Sequence, residues 1–215
     1  MRTRIAVLFM ALVVICGQPA FARQDADTPQ KVEFRKWDLD GSLGILGTSA
    51  RDFGRPTLPG LERYLFAWNV DAGRYFTPHV KGEVGLMRTN ERHFWEPLPA
   101  PSRSYSYREH TVHPTSLSAA LTYQFFENVF AHPYVSAGVR VTAVSDETQT
   151  SVYSPTYSAT SASTTSRVSE VRPFVAAGYK SYFNARAYMK TDALFAIDTK
   201  GISHGSLRVG FGIDF

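Results

Sequence analysis

The stretch that decides the fold is Leu207-Arg208-Val209-Gly210-Phe211-Gly212-Ile213-Asp214-Phe215. Every second residue in it is large and apolar, and the residues between them are charged or glycine. Successive side chains of a β-strand point to opposite faces, so this alternation is typical of a strand with one apolar and one polar face. The stretch therefore predicts a strand that lies between an apolar and a polar environment.

The same alternation occurs seven more times upstream. The apolar faces of these stretches run over 37–43, 66–72, 80–86, 117–125, 135–141, 175–179 and 187–193. No stretch after residue 22 has the length and hydrophobicity of a membrane helix. Eight alternating strands, an even number, predict an all-β fold that closes as one antiparallel up-and-down barrel.

The predicted connections also alternate in length. Short turns are expected at 77–79, 126–132 and 181–184, long loops at 47–63, 88–112 and 145–168, and an intermediate connection at 198–204. Short turns at one end and long loops at the other are typical of bacterial outer-membrane barrels. The strands have about the 9 to 11 residues that a tilted membrane strand needs. We therefore predict an eight-stranded transmembrane β-barrel.

The first 22 residues have the three parts of a secretory signal peptide. Arg2 and Arg4 supply a basic start, Ile5–Ile15 is apolar, and Ala20 and Ala22 give the small-x-small pattern that signal peptidase cleaves. The apolar run is too short to cross a bilayer as a helix, which takes about 20 residues. The expected organisation is a cleaved signal peptide at 1–22, a flexible periplasmic leader at 23–31 and an outer-membrane barrel domain at 32–215.

Composition excludes several classes of function. The single cysteine, Cys16, lies within the signal, so the mature chain has no thiol for a disulfide, a zinc-thiolate site or a cysteine nucleophile. The large Ile15 before it disfavours lipidation. The formal net charge is +4, and it becomes smaller when the signal peptide with Arg2 and Arg4 is removed. A nucleic-acid-binding protein usually carries a larger excess of positive charge.

The polar faces of the predicted strands carry charges of both signs in nearly equal number. An eight-stranded barrel is just wide enough for side chains to fill it, and an unpaired buried charge costs several kcal/mol. We therefore predict a lumen plugged by ion pairs, with a narrow path for ions as the alternative. The predicted network comprises Asp38, Asp40, Asp71, Lys81, Glu83, Arg140, Arg172, Lys180, Arg186, Lys190, Asp192, Arg208 and Asp214, and Glu170 lies on the same face.

Gly210, Phe211, Ile213 and Phe215 together resemble the C-terminal insertion signal of bacterial outer-membrane proteins. That signal combines a polar residue, a glycine, alternating large apolar residues and a terminal aromatic residue. The resemblance implies recognition by the outer-membrane assembly machinery, through pairing with the free backbone edge of the last strand before the barrel closes.

Two other segments resemble a known family. His132-Pro133-Tyr134-Val135-Ser136-Ala137-Gly138 and Arg172-Pro173-Phe174-Val175-Ala176-Ala177-Gly178 are similar to the R-P-Y-V-x-x-G strands of the small eight-stranded OmpA/OmpX-like β-barrel superfamily. The resemblance implies the barrel fold and an outer-membrane location, and it brings no catalytic residue. Because no peptidoglycan-binding domain follows Phe215, it also implies a barrel-only member.

One short segment, His204-Gly205-Ser206, is a candidate for catalysis. It is similar to the His-x-Ser pair of the PagL-type lipid A deacylases, in which a carboxylate completes the site. A serine nucleophile needs a histidine within reach and a group that orients it. Here the only later acid, Asp214, is about 27 Å away along the strand. We expect no enzyme, with a lipid A-modifying esterase as a minor alternative.

The predicted loops contain the remaining candidates. His93, His110 and His113 match no zinc spacing, so no metal site is expected. The 145–168 loop and its flank are rich in serine and threonine, which predicts a mobile, low-complexity segment. Aromatic and arginine side chains in and next to 88–112 suit lipid headgroups and phosphate. They are Arg88, Arg92, Phe94, Trp95, Arg103, Tyr105, Tyr107 and Arg108.

These features together predict an outer-membrane protein with a structural or surface-interaction role that its long loops carry. The alternatives are a narrow passive channel and the esterase. The expected partners are outer-membrane lipid, lipopolysaccharide and, during biogenesis, the assembly machinery. No nucleic acid and no cofactor are expected, and the sequence names no surface ligand.

Overall fold

The computed structural model describes residues 35–48, 63–99, 105–126, 131–154, 157–160, 163–199 and 201–215. The predicted signal peptide, its cleavage residues Ala20 and Ala22, and the predicted leader lie outside the described residues. Within the described ranges, no helix is long and apolar enough to cross a membrane.

The described residues form ten β-strands. These are β1 (Trp37–Thr48), β2 (Arg63–Tyr75), β3 (Val80–Thr89), β4 (Arg92–Leu98), β5 (Tyr105–Gln124), β6 (Ala131–Ser154), β7 (Tyr157–Thr160), β8 (Thr164–Tyr182), β9 (Ala187–Asp198) and β10 (Gly201–Asp214). Eight of them, all except the short strands β4 and β7, make up the barrel.

The barrel is closed and antiparallel throughout. Its neighbour order is β5-β3-β2-β1-β10-β9-β8-β6, and β6 pairs back with β5. Across the β1–β10 seam, Trp37 and Phe215 exchange two backbone hydrogen bonds of 3.0 and 2.8 Å. The predicted eight-stranded up-and-down barrel is confirmed.

The outer surface of the barrel is apolar. In β10, Val209 is 45% exposed and Phe211 63% exposed, whereas Arg208 and Gly210 are buried. The same pattern holds on the other barrel strands, where Leu43, Val84, Leu117 and others point outwards. An apolar outer band around a polar interior is the arrangement of a transmembrane barrel, because lipid surrounds it.

Aromatic side chains ring the end of the barrel that carries the β1–β10 seam. They are Trp37, Phe76, Tyr123, Phe125, Phe126, Phe183 and Phe215, and each is between 38 and 64% exposed. Aromatic girdles of this kind mark the interface between hydrocarbon and water in membrane barrels. The four-residue turns between β2 and β3 and between β8 and β9 lie at this end, and they contain Phe76 and Phe183.

The turns differ from the predicted ones in their bounds. The turn at 76–79 agrees, but the predicted turn 181–184 is wrong by two residues, because β8 continues to Tyr182. Asn184 closes that turn by accepting hydrogen bonds of 2.8 Å from the backbone of Arg186 and Ala187. The predicted connection 198–204 is mostly strand, since β10 begins at Gly201.

The prediction of long loops at 88–112 and 145–168 is wrong, because both segments contain strands. β4 and the first part of β5 lie within 88–112, and the end of β6, β7 and the start of β8 lie within 145–168. Their threonine, valine and tyrosine residues favour strands, and pairing satisfies their backbone groups. The third, 47–63, is bounded by β1 and β2, and its centre lies outside the described residues.

These strands form a sheet that rises above the barrel at the end opposite the aromatic ring. We call it the protruding sheet: β4, residues 105–114 of β5, 144–154 of β6, β7, and 164–173 of β8. β6 has 24 residues, against 12 in β1. The longer strand reaches about 40 Å further along its own direction.

Candidate functional site

The lumen next to the aromatic ring holds a cluster of paired charges. Lys81 Nζ lies 2.6 Å from Asp38, and Lys180 Nζ lies 2.8 Å from Asp214 and 3.3 Å from Asp38. The Tyr182 hydroxyl donates a short hydrogen bond to Asp214. The cluster joins four strands, β1, β3, β8 and β10.

Buried tyrosines complete this cluster. Lys180 Nζ lies 3.6 Å from the centroid of the Tyr188 ring and donates a 2.7 Å hydrogen bond to the Tyr75 hydroxyl. Gln124 donates to the same hydroxyl at 2.9 Å. A cation over a desolvated aromatic ring is stabilised by about 2 kcal/mol. These tyrosines were not predicted from the sequence, although Tyr75 and Tyr188 both lie on polar faces next to lumen acids.

A second cluster lies deeper in the lumen around Lys190. Its ammonium is 2.6 Å from Glu83, 3.0 Å from Asp40 and 3.3 Å from Asp71. The three carboxylates each offer an oxygen within 4.8 Å of the other two, and among the described residues no other three possible metal ligands lie that close together. The lysine ammonium already supplies the positive charge at their centre.

A third cluster is formed by Arg208 and Asp192. The guanidinium donates two hydrogen bonds of 2.7 and 2.8 Å to the carboxylate, which also accepts one of 2.7 Å from the Tyr134 hydroxyl. Paired, bidentate contacts of this kind are among the stronger hydrogen bonds in proteins. All members are buried.

Above these clusters the lumen becomes apolar. Arg140 is 2% exposed and packs its guanidinium 5.5 Å from the centroid of the Phe174 ring. Two groups of buried apolar side chains follow. They are Leu46, Leu65, Ala67 and Met87 on one wall, and Phe174, Ala176, Leu194 and Ala196 on the other.

Lumen glycines create the space for these side chains. A Cβ atom on Gly73 would lie 2.1 Å from Asp38 Oδ1, and one on Gly85 would lie 2.0 Å from Asp71 Oδ1. A Cβ atom on Gly212 would lie 2.3 Å from the Tyr188 ring. The glycines on the polar faces are therefore needed for close approach of the charged and tyrosine side chains.

Most, but not all, of the charged residues predicted for the lumen lie there in the structure. Arg172 lies nearer the protruding sheet, where it pairs at 2.6 Å with the half-buried Glu170. The prediction that Arg186 belongs to the lumen network is wrong. Its side chain is exposed in the turn after β8, because that strand continues to Tyr182. Arg140 lies in the lumen above the clusters, against Phe174, and the other predicted members lie in the three clusters described above.

The candidate esterase residues do not form a catalytic arrangement in the described contacts. His204 Nδ1 lies 3.0 Å from the Arg172 guanidinium and 3.3 Å from the Ser203 hydroxyl. A catalytic histidine is oriented by an anion, whereas here a cation is adjacent. Ser206 is buried in the lumen wall.

The inner face of the protruding sheet contains a buried polar cluster. His110 is fully buried, and its Nδ1 lies 3.0 Å from Asp146. Its Nε2 lies 3.5 Å from the Glu96 carboxylate. The contacts join β4, β5 and β6. No sequence motif could have revealed the cluster, because its three members come from different strands.

The outer face of the sheet carries exposed aromatic residues. Tyr107 and Tyr153 stack with ring centroids 5.9 Å apart, and Tyr105 contacts Tyr107 at 5.7 Å. A hydrogen bond with Tyr107 raises the pKa of the Tyr153 hydroxyl. Trp95 on β4 is 64% exposed. Arg88 on β3 is exposed, whereas Arg92 on β4 is half-buried.

The protruding sheet also has an open edge on β8. Residues 164–173 pair with β6 on one side, while β9 pairs with β8 only from Phe174 onwards. No described strand covers the other side of 164–173. Side chains from Thr164 to Ser169 are exposed on both faces of the strand. The edge therefore presents backbone donors and acceptors as well as accessible faces.

No family model and no curated protein matches the sequence. Among solved structures, the N-terminal β-barrel domain of OprF from Pseudomonas aeruginosa is similar, with a TM-score of 0.53 and 16% identity, over 85% of this chain and 100% of that one. Ail of Yersinia pestis has a TM-score of 0.49 and 11% identity, over 84% and 97% of the two chains. OprG of Pseudomonas aeruginosa has a TM-score of 0.47 and 10% identity, over 84% and 96%. With its closed eight-stranded barrel and apolar outer band, the chain has the fold of the small outer-membrane β-barrels.

Proposed function

We propose that this chain is an outer-membrane surface protein whose barrel anchors the protruding sheet, and whose sheet binds extended polypeptide segments outside the cell. The observation that carries the proposal is the open edge of β8 at 164–173. An unpaired strand edge can add a further strand, with backbone hydrogen bonds supplying affinity and exposed side-chain pockets supplying specificity.

The composition of the edge supports binding by strand addition. Val168 is 56% exposed and Val171 65% exposed, so apolar surface is available beside the free backbone groups. Exposed strand edges are usually blunted by lysine or proline. Pro97 has that character on β4, at the other side of the sheet. On the β8 edge, Pro173 stands at the end next to the barrel, and the residues from Thr164 to Arg172 include neither lysine nor proline.

The packed lumen favours this proposal over a passive channel. The Lys190–Glu83 pair joins opposite walls, the Lys180 and Arg208 clusters fill the lumen beside it, and apolar side chains lie above them. An eight-stranded barrel has little width to spare for a water column. We expect no single-channel steps when the purified protein is placed in planar bilayers.

Whole-cell adherence tests the proposed edge. Cells that display Val168→Lys should adhere at least several-fold less to a serum-protein-coated surface than cells that display the wild-type chain, because a charged side chain on the edge opposes strand addition. Gln149→Lys is the matched control: it adds the same charge at an exposed position of β6, opposite Glu109 on β5 and away from the β8 edge.

Both variants should reach the surface in equal amounts, which surface labelling measures. Equal adherence of the two variants, or wild-type adherence no greater than that of cells without the protein, would remove the basis for edge binding. Defined conductance steps would instead favour the channel.

A further inference from the structure

Four titratable side chains lie together on the outer face of the protruding sheet, and none of the roles above uses them. Glu91 precedes β4, His93 lies on it, and Glu109 and His113 lie on the paired strand β5. Their side chains are partly exposed, with 50% for His93, 28% for His113 and 61% for Glu91. None belongs to the lumen or to the open edge of β8.

One carboxylate lies between the two imidazoles. Glu91 Oε2 is 3.8 Å from His93 Nε2, and Glu91 Oε1 is 3.8 Å from His113 Nδ1. His93 also has Glu109 Oε1 at 3.5 Å and the Thr111 hydroxyl at 3.0 Å from its Nδ1. The group therefore combines two imidazoles and two carboxylates.

The strand register holds these residues near one another. His93 pairs with Thr111 across the β4–β5 ladder, so His113 is its diagonal neighbour on the same face. Diagonal neighbours have Cα atoms about 7 to 8 Å apart, and long side chains reach across that distance. Each imidazole is near Glu91, but the ligand atoms of the three residues do not all lie within 4.8 Å of one another. The partly exposed side chains of His93 and His113 therefore have to rotate towards each other to complete a ligand set.

Two imidazoles and a carboxylate are ligands that zinc prefers. Zn–N and Zn–O bonds of about 2.0 to 2.2 Å place neighbouring ligand atoms about 3.3 Å apart in a tetrahedral site. The observed separations of 3.8 Å between Glu91 and each imidazole are close to that value. Oxygen-seeking Mg²⁺ and Ca²⁺ are less suited to a site with two nitrogens.

We propose that Glu91, His93 through Nε2 and His113 through Nδ1 bind a divalent transition-metal ion, with water as a fourth ligand, and that Zn²⁺ occupies the site. Glu109 and Thr111 lie at the other ring nitrogen of His93 and would orient its imidazole. Bound at this site, the ion links β4 to β5. β4 is a short strand that pairs with β5 alone among the described strands, so the link fixes the side of the sheet remote from β8.

Titration calorimetry with Zn²⁺ tests the site in the full chain, folded in lipid vesicles and prepared without a polyhistidine tag. We expect one saturable site per chain. His93→Ala and His113→Ala should each weaken it at least tenfold. His132→Ala is the matched control and should leave it unchanged, because His132 lies at the other end of the barrel on β6.

A second readout follows the strand itself. Zn²⁺ should slow amide hydrogen exchange in 92–98 at least several-fold, and the double variant His93→Gln, His113→Gln should lose that protection. The glutamine variants keep polar side chains of similar size, so they serve if an alanine variant fails to show the heat-modifiable gel shift of a folded barrel.

Three results would overturn the proposal. They are the absence of a saturable site in the wild-type chain, unchanged affinity in the double variant, and displacement of Zn²⁺ by equimolar Mg²⁺. Displacement by Mg²⁺ would mean that carboxylates alone bind the ion, without the two histidines. The alternative that the group is an ordinary set of ion pairs predicts the first result.

Discussion

Lys190 on β9 and Glu83 on β3 meet across the barrel, with 2.6 Å between Nζ and Oε1. In the closed strand order, three strands separate β3 from β9 in either direction, so the pair joins opposite walls. Asp40 and Asp71 lie on the same ammonium. Charge pairs thus cross the lumen of the barrel and join its opposite walls.

Removing the central ammonium should destabilise the barrel strongly. Lys190→Met leaves Glu83, Asp40 and Asp71 buried without their common cation, and breaking a buried pair costs about 3 to 5 kcal/mol. Urea unfolding in lipid vesicles, followed by tryptophan fluorescence, measures the loss. Arg186→Met removes an exposed cation and serves as the control. Adding Glu83→Gln to Lys190→Met should restore part of the stability, and similar midpoints for Lys190→Met and Arg186→Met would contradict the role of the cluster.

Two glycines on paired strands should respond in opposite ways to alanine. Gly212→Ala places a methyl group 2.3 Å from the Tyr188 ring and 2.7 Å from Asp40, and overpacking typically costs 1 to 3 kcal/mol, so we expect a loss of about that size. Gly41→Ala meets nothing within 4 Å on the lipid face, and its stability should be unchanged or slightly higher. The same urea titration compares them. A larger loss for Gly41→Ala would mean that the two faces are exchanged.

A charge on the lipid face should impair insertion. Val209 is 45% exposed on the apolar band, and arginine at the bilayer midplane costs about 2 to 4 kcal/mol. Val209→Arg should therefore fold into lipid vesicles in much lower yield than the size control Val209→Leu. Heat-modifiable gel migration gives the folded fraction, and equal yields would argue against lipid at this position.

The aromatic residue of the last strand should matter for assembly. Phe215 is 60% exposed in the aromatic ring and pairs its backbone with Trp37, which closes the barrel. Phe215→Asp should lower the amount of folded protein in the outer-membrane fraction several-fold, whereas Phe215→Tyr keeps an aromatic side chain and should retain it. Normal recovery of the aspartate variant would show that the proposed insertion signal does not depend on this residue.

The sequence determined the barrel because a strand has a fixed period of two. Once Val209 and Phe211 alternate with Arg208 and Gly210, one face is apolar and the other polar, whatever the neighbouring strands are. The signal peptide, the connection lengths and the terminal Phe215 then favoured a membrane barrel, in which the apolar face meets lipid. The number of strands followed from counting such stretches. The ends of the strands could not be predicted in the same way. Ser- and Thr-rich segments such as Thr148–Ser154 carry little apolar alternation, yet β6 continues through this segment and stays paired with β5 up to Tyr153.

Side-chain contacts across the lumen were decided by the tertiary structure. The alternation alone makes Gly210→Ser look harmless, but a Cβ atom there would lie 2.3 Å from the carbonyl oxygen of Gly41. Partners such as Lys190 and Glu83 are 107 residues apart in sequence, and no local pattern pairs them.

The same distinction holds for the candidate sites. Local sequence gave the composition of each face, since side-chain direction depends only on position along the strand. It could not give the His110–Asp146 contact, the group around Glu91 or the open edge of β8, because each depends on which strands are neighbours and where their pairing stops. Closure of the barrel fixes those neighbours, and closure is a property of all eight strands together.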